Sequence, residues 1–118
     1  GVAIKAALAG QPVHLVGEGK QVRDFIHTRD LAALCVAINQ SEEQGAIVNA
    51  GSGRGVSMRE IVDVVAGALN RSLQVELLPG RAFDVMVNVL DSNQAWRKFD
   101  WECQVSVEEG VQEICDKL

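Results

Sequence analysis

Apolar positions along this chain recur at two spacings, and the switches between them mark out a series of short elements. Residues 2–8 read as a helical segment, closed by Gly10, which suits a left-handed C-terminal cap, and by Pro12, which cannot continue a helix. Residues 13–16 and 22–27 are apolar runs around Gly17-Glu18-Gly19, so two strands about a glycine turn are expected. From Asp30 onward, Leu31, Leu34, Cys35 and Ile38 fall at i, i+3, i+4 and i+7, the spacing of one apolar helix face. Residues 46–50 read as a strand.

Ser57-Met58-Arg59-Glu60 is a capping box, and it opens a helix with Met58, Ile61, Val62, Val65 and Leu69 on one face. Leu73, Val75 and Leu77 alternate with polar residues as a strand would, up to the break at Pro79-Gly80. Residues 85–90 form a further extended segment. Asp91 can cap a short helix through Phe99, and Ser106 with Glu109 forms a second capping box before the stripe Val107, Val111, Ile114, Cys115 and Leu118. The order α-β-β-α-β-α-β-β-α-α predicts one small α/β domain over residues 1–118, with mixed strand pairing.

Composition narrows the classes of function. The net charge of -5 argues against broad binding to nucleic acid or anionic membrane, which calls for basic patches. Three cysteines without a Cys-x-x-Cys pair argue against a disulfide framework or a zinc site. Cys35 and Cys115 lie on apolar stripes and are expected to be buried, reduced thiols, which fits a cytoplasmic location. No apolar run approaches the roughly 20 residues of a membrane span.

Few residues could carry chemistry. Gly51-Ser52-Gly53-Arg54-Gly55 lies between an expected strand and a helix, as a dinucleotide loop would. Val56 stands where the third glycine of Gly-x-Gly-x-x-Gly is needed, however, so a structural loop is the expected reading. Arg23 follows a turn and Arg81 follows Pro79-Gly80. Two guanidinium forks so placed suit two phosphates, and the competing reading is a surface salt bridge from Arg23 to Asp24 or Asp30. Asp24 reads as a structural partner, and Asp30 as a carboxylate favoured at a helix N-terminus. His14 and His27 have no third ligand at a metal spacing, so no metal site is expected. Trp96 and Trp101 read as core anchors. The chain has no tyrosine.

Taken in order, these segments resemble the extended short-chain dehydrogenases, the NAD-dependent nucleotide-sugar epimerases and dehydratases. Residues 13–30 are similar to that family's h-x-G-x-G-x-x-x-R-D-F-h-x-x-x-D. Residues 49–61 match N-x-G-S-G-x-x-x-S-h-x-E-h. Arg81-Ala82-Phe83-Asp84 matches R-x-x-D, and Phe99-Asp100-Trp101 stands for L-G-W. Thr28-Arg29 departs from the family's usual Val-Asp or Val-Glu, reversing a charge at the entrance to a helix.

The resemblance implies a small mixed α/β domain corresponding to the C-terminal, substrate-binding portion of such an enzyme, without its Rossmann half. Arg23 and Arg81 would then clamp a diphosphate and Asp84 would contact the nucleoside ribose. The family's catalytic Tyr and Lys and its NAD site would lie outside these residues, leaving no catalytic residue and no cofactor site here. The partner implied is a nucleotide diphosphate sugar, held weakly by one wall of a cleft. The alternative is a stand-alone, non-catalytic homo-oligomeric module derived from the family.

Overall fold

A computed structural model describes residues 1–43 and 45–118. In chain order the elements are α1 (Val2–Leu8), β1 (Val13–Val16), β2 (Val22–Asp24), α2 (Thr28–Gln40), β3 (Gly55–Ser57), α3 (Met58–Ala68), β4 (Val75–Leu78), β5 (Val87–Asn88), α4 (Asn93–Phe99) and α5 (Val107–Cys115). The mixed α/β class is as expected. The strands form two sheets: β1 with β4, and β3-β2-β5. β1 runs parallel to β4, with Val13 opposite Val75 and Val16 opposite Leu78. β2 is antiparallel to β3 and parallel to β5, so pairing is mixed.

Local chemistry sets the boundaries. Gly10 takes φ +66° after α1, and the Gly10 and Gln11 amides donate to the Ala7 and Ala6 carbonyls, a left-handed helix stop. Both capping boxes form: the Ser57 and Ser106 hydroxyls accept from the Glu60 and Glu109 amides, and each glutamate accepts the serine amide in return. α2 begins two residues before the expected Asp30, because the Nδ1 of His27 accepts the Arg29 amide and caps the helix. Ser92 is the N-cap residue of α4, and the Asp91 carboxylate accepts the Asn93 amide beside it.

Burial is divided between two small clusters. Val13, Leu15 and Val62 form one, beneath α1 and α3. Leu34, Ala95 and Trp101 form the other, between α2 and α4. The chain is thin, 50 × 37 × 15 Å, with a radius of gyration of 16.6 Å, against about 13.5 Å for a compact chain of this length. Its accessible surface is 8036 Å², where a compact monomer of this mass shows roughly 6,200 Å². Among the described residues sixteen large hydrophobic side chains are exposed.

That openness accounts for the departures from sequence expectation. Residues 46–50 form no strand. Val48 and Ala50 pack on the Leu34–Trp101 cluster while Ile47 stands 91% exposed, so the strand alternation is present without a neighbouring strand to make a ladder. The third strand is instead the short β3, inside what reads as loop. Leu31 and Ile38, expected in the core, are exposed, and so is Cys35. One flank of the α2 stripe reaches the core, through Leu34, and the other is exposed among the described residues. Trp101 is the anchor it was expected to be, at 6% exposure, but Trp96 is 52% exposed. Among the described residues no helix is long and apolar enough to cross a membrane.

Candidate functional site

The residues expected to meet a ligand lie on two neighbouring stretches. One is the β1–β2 connection together with β2, which carries Arg23. Gly17 and Gly19 take φ +61° and +71°, and a Cβ on Gly19 would sit 2.7 Å from Leu15 Cδ1, so both positions favour glycine. The other is residues 79–86, the connection from β4 to β5. The Gly17 amide donates to the Leu78 carbonyl at 2.7 Å and the Val22 amide to the Met86 carbonyl at 2.7 Å, stitching the two stretches together at both ends.

Arg23 lies in the central strand β2, opposite Val56 on one side and Asn88 on the other. Its Nη1 donates to the Val22 carbonyl at 2.8 Å. Arg81 is exposed and opens a turn in which the Asp84 amide donates to the Arg81 carbonyl at 3.2 Å. Phe83, in that turn, is 81% exposed. Among the described residues neither arginine is ion-paired with a carboxylate. The salt bridge weighed against ligand binding is therefore not formed, and apart from the Nη1 bond of Arg23 to the Val22 carbonyl the guanidinium donors are left for an anion.

Asp24 and Asp30 are committed elsewhere. The Asp24 carboxylate accepts from the Ser52 amide (2.8 Å), the Ser52 hydroxyl (2.6 Å), the Gly53 amide (3.0 Å) and the Leu90 amide (3.1 Å). Burial alone would raise its pKa, but these hydrogen bonds outweigh burial and hold it below the usual carboxylate value. The same bonds decide the glycine-rich loop. Amides that a dinucleotide pyrophosphate would need at Ser52 and Gly53 are taken by a side chain of the protein itself. A Cβ on Gly51 would sit 2.7 Å from Asp24 Oδ2 and 2.8 Å from Leu90 Cβ, so that glycine serves the approach of Asp24 and Leu90. The chain runs from this loop into β3 and only then into α3. These residues do not fit NAD.

Asp30 has a role beyond the helix dipole. Its Oδ2 accepts the Val105 amide at 2.9 Å and the Cys103 thiol at 3.1 Å, and its carbonyl accepts the Trp101 indole N–H at 2.9 Å. Burial again opposes and hydrogen bonding again prevails, so its pKa is also lowered. Neither role is visible in local sequence, because the partners lie far along the chain. Arg29, the reversed charge at the head of α2, pairs with Glu113 of α5, and His27 lies 3.8 Å from the same carboxylate. The departure from the family pattern thus has a partner that joins two helices. His14 pairs with Glu76 at 3.0 Å across the β1–β4 ladder.

Burial, and then the hydrogen bond and charge of Asp30, push the Cys103 thiol up to about 11. Alkylation proceeds through the thiolate. Limited treatment with iodoacetamide near pH 8, followed by peptide mass spectrometry, is expected to label exposed Cys35 well before Cys103. In an Asp30→Asn variant the lag of Cys103 shortens.

Residues 2–51 match the model of the NAD dependent epimerase/dehydratase family. The chain is 30% identical over 107 residues to a UDP-glucose 4-epimerase of Mycolicibacterium smegmatis, covering 91% of this chain and 34% of that protein. It is 28% identical to a UDP-glucuronate 4-epimerase of Thermodesulfobacterium geofontis, covering 92% of this chain and 33% of the relative. The solved UDP-glucose 4-epimerase of Thermotoga maritima with UDP-glucose superposes with a TM-score of 0.90 at 26% identity, over 98% of this chain and 37% of that one. The chain therefore spans about a third of the length of the relatives it matches.

Proposed function

Since the chain belongs to the NAD dependent epimerase/dehydratase family, we propose that it is the portion of a nucleotide-sugar epimerase or dehydratase that holds the nucleotide end of the substrate. In this reading Arg23 and Arg81 engage the diphosphate as bidentate donors and Asp84 accepts a hydrogen bond from the nucleoside ribose. What carries the reading is the placement of two arginines, without carboxylate partners among the described residues, on stretches that the Gly17–Leu78 and Val22–Met86 hydrogen bonds hold side by side. A guanidinium keeps its charge at any working pH, so the pair suits a diphosphate, whose charge is likewise permanent near neutrality.

The chain alone does not catalyse epimerisation or dehydration. Tyrosine, the proton carrier implied by the family resemblance, is absent from its sequence, and the amides of the one glycine-rich loop are taken by Asp24. Its contribution is to bind and orient. A single wall buries little of a ligand, so affinity is low compared with an enclosed site. A homo-oligomer in the cytoplasm completes the proposal.

Titration calorimetry of the 118-residue chain with UDP-glucose, UDP-glucuronate and dTDP-glucose tests it. Weak binding is expected for at least one of them. Each Arg→Ala change is expected to weaken it about tenfold, the cost of losing one charge-assisted contact. Equal affinity in the parent and in the Arg23→Ala/Arg81→Ala double variant would remove both arginines from the site.

A further inference from the structure

One imidazole lies between two helices, and each of its charge states suits a different one. His27 precedes α2, and its Nδ1 accepts the Arg29 amide at 3.1 Å. A backbone N–H can only donate, so Nδ1 carries a lone pair and the proton of the neutral ring is on Nε2. On its other side, Nε2 is 3.8 Å from a carboxylate oxygen of Glu113 in α5, just beyond hydrogen-bond distance. The ring rests on α5 at buried Gly110, where a Cβ would sit 3.1 Å from His27 Cδ2.

Protonation reverses these contacts. A proton on Nδ1 sets donor against donor at the Arg29 amide and removes the cap. The same charge draws Nε2–H toward Glu113, and closing from 3.8 Å to a charge-assisted bond of about 2.8 Å is a small movement. Among the described residues, the groups that face the ring come from three elements. α2 brings Arg29 and Asp30, and α5 brings Glu109 and Glu113, with Lys117 just after it. β1 brings His14, which lines the same apolar cavity as His27. Carboxylates outnumber the permanent cations in this set, which favours the charged ring, while the cap on α2 favours the neutral one.

We infer that His27 is a proton-operated switch at the joint of α2 and α5: uncharged, it caps α2; charged, it releases the cap and pairs with Glu113. Histidine is the residue type suited to this, because its charge changes at mild pH. The first turn of α2 carries the consequence further. Asp30, in that turn, holds the Val105 amide through its carboxylate and the Trp101 indole through its carbonyl. The switch therefore bears on the segment that joins α4 to α5. The inference is independent of the nucleotide reading, since it uses neither Arg23 nor Arg81.

Hydrogen exchange followed by NMR on the 118-residue chain, at about pH 7.5 and about pH 5.5, brackets the usual histidine range. Exchange of the Arg29 amide, corrected for the intrinsic effect of pH, is expected to be about fivefold faster at the lower pH, the factor that loss of a side-chain cap gives. The α3 amides are expected to stay protected. In His27→Asn, whose carboxamide caps a helix without titrating, the corrected rate is expected to be the same at both values. Glu113→Gln removes a negative charge beside the ring and is expected to delay the change to more acid solution. A parent rate that does not change with pH overturns the inference. So does an equal change in His27→Asn, or a Glu113→Gln variant that follows the parent, since the charged ring would then have no use for α5.

Discussion

Trp101→Ala is expected to cost about 4 kcal/mol, the usual range for truncating a buried large aromatic. Trp101 is 6% exposed and is the largest side chain in a cluster otherwise made by Leu34 and Ala95. Its indole N–H also donates to the Asp30 carbonyl at 2.9 Å, fastening the chain after α4 to the first turn of α2. Two clusters this small leave little reserve. A typical domain holds about 0.1 kcal/mol per residue, and a chain this open lies at the lower end. The thermal midpoint is expected to fall by about 15 °C, or the cooperative transition to vanish. Trp96→Ala, at an exposed position, is the control and is expected to change stability by less than about 0.5 kcal/mol. Melts followed by circular dichroism distinguish the two, and intrinsic fluorescence of each variant reports the remaining tryptophan, blue-shifted for Trp101 and red-shifted for Trp96.

The Asp24→Ala change strands the Ser52, Gly53 and Leu90 amides, which meet on that one carboxylate. Unsatisfied groups of this kind cost about 1–3 kcal/mol each when buried. These are partly buried and water can reach some of them, so a total of about 3 kcal/mol is expected. Asp24→Asn keeps one acceptor oxygen and is expected to cost less. The pH dependence has a definite sign. Asp24 and Asp30 are both lowered below the usual 3.8 in the folded chain, so the unfolded chain binds protons first as the solution is acidified. The stability they contribute is whole above that value and is lost as pH falls through their lower folded values. Acid unfolding is therefore expected below about pH 4, and its dependence on pH is expected to be shallower in Asp24→Asn. A variant as stable as the parent, with the same acid slope, would show that Asp24 does not hold the loop.

Short-range chemistry was legible in the sequence; long-range contacts were not. Both capping boxes, the Gly10 stop and the Gly17–Gly19 turn act within a few residues, and all appear where their residue types require. β1 and β4 were readable from alternation, although their parallel pairing was not. Residues 46–50 have a strand's pattern without a strand's ladder, because pattern reports which side chains face inward and pairing needs a second strand. The α2 stripe was misread for a related reason. Periodicity identifies an apolar face but not whether anything in the chain covers it, and here Leu34 is covered while Leu31, Cys35 and Ile38 are not. The roles of Asp24 and Asp30 depend on partners up to 75 positions away, which no local signal could reveal. At the site, the guanidinium chemistry of Arg23 and Arg81 and their place beside turns are legible in the sequence. The fold adds that neither is spent on a neighbouring carboxylate.

Backbone amide NMR of the isotopically labelled chain, titrated with UDP-glucose, examines the binding role most directly. Saturable shifts are expected at residues 16–24 and 79–88, at the two arginine-bearing stretches, with residues 51–55 unmoved because Asp24 already fills that loop. They are expected to shrink together in the Arg23→Ala/Arg81→Ala variant. Shifts centred on residues 51–55, or none at millimolar ligand, would contradict the assignment of this chain as the part that holds the nucleotide.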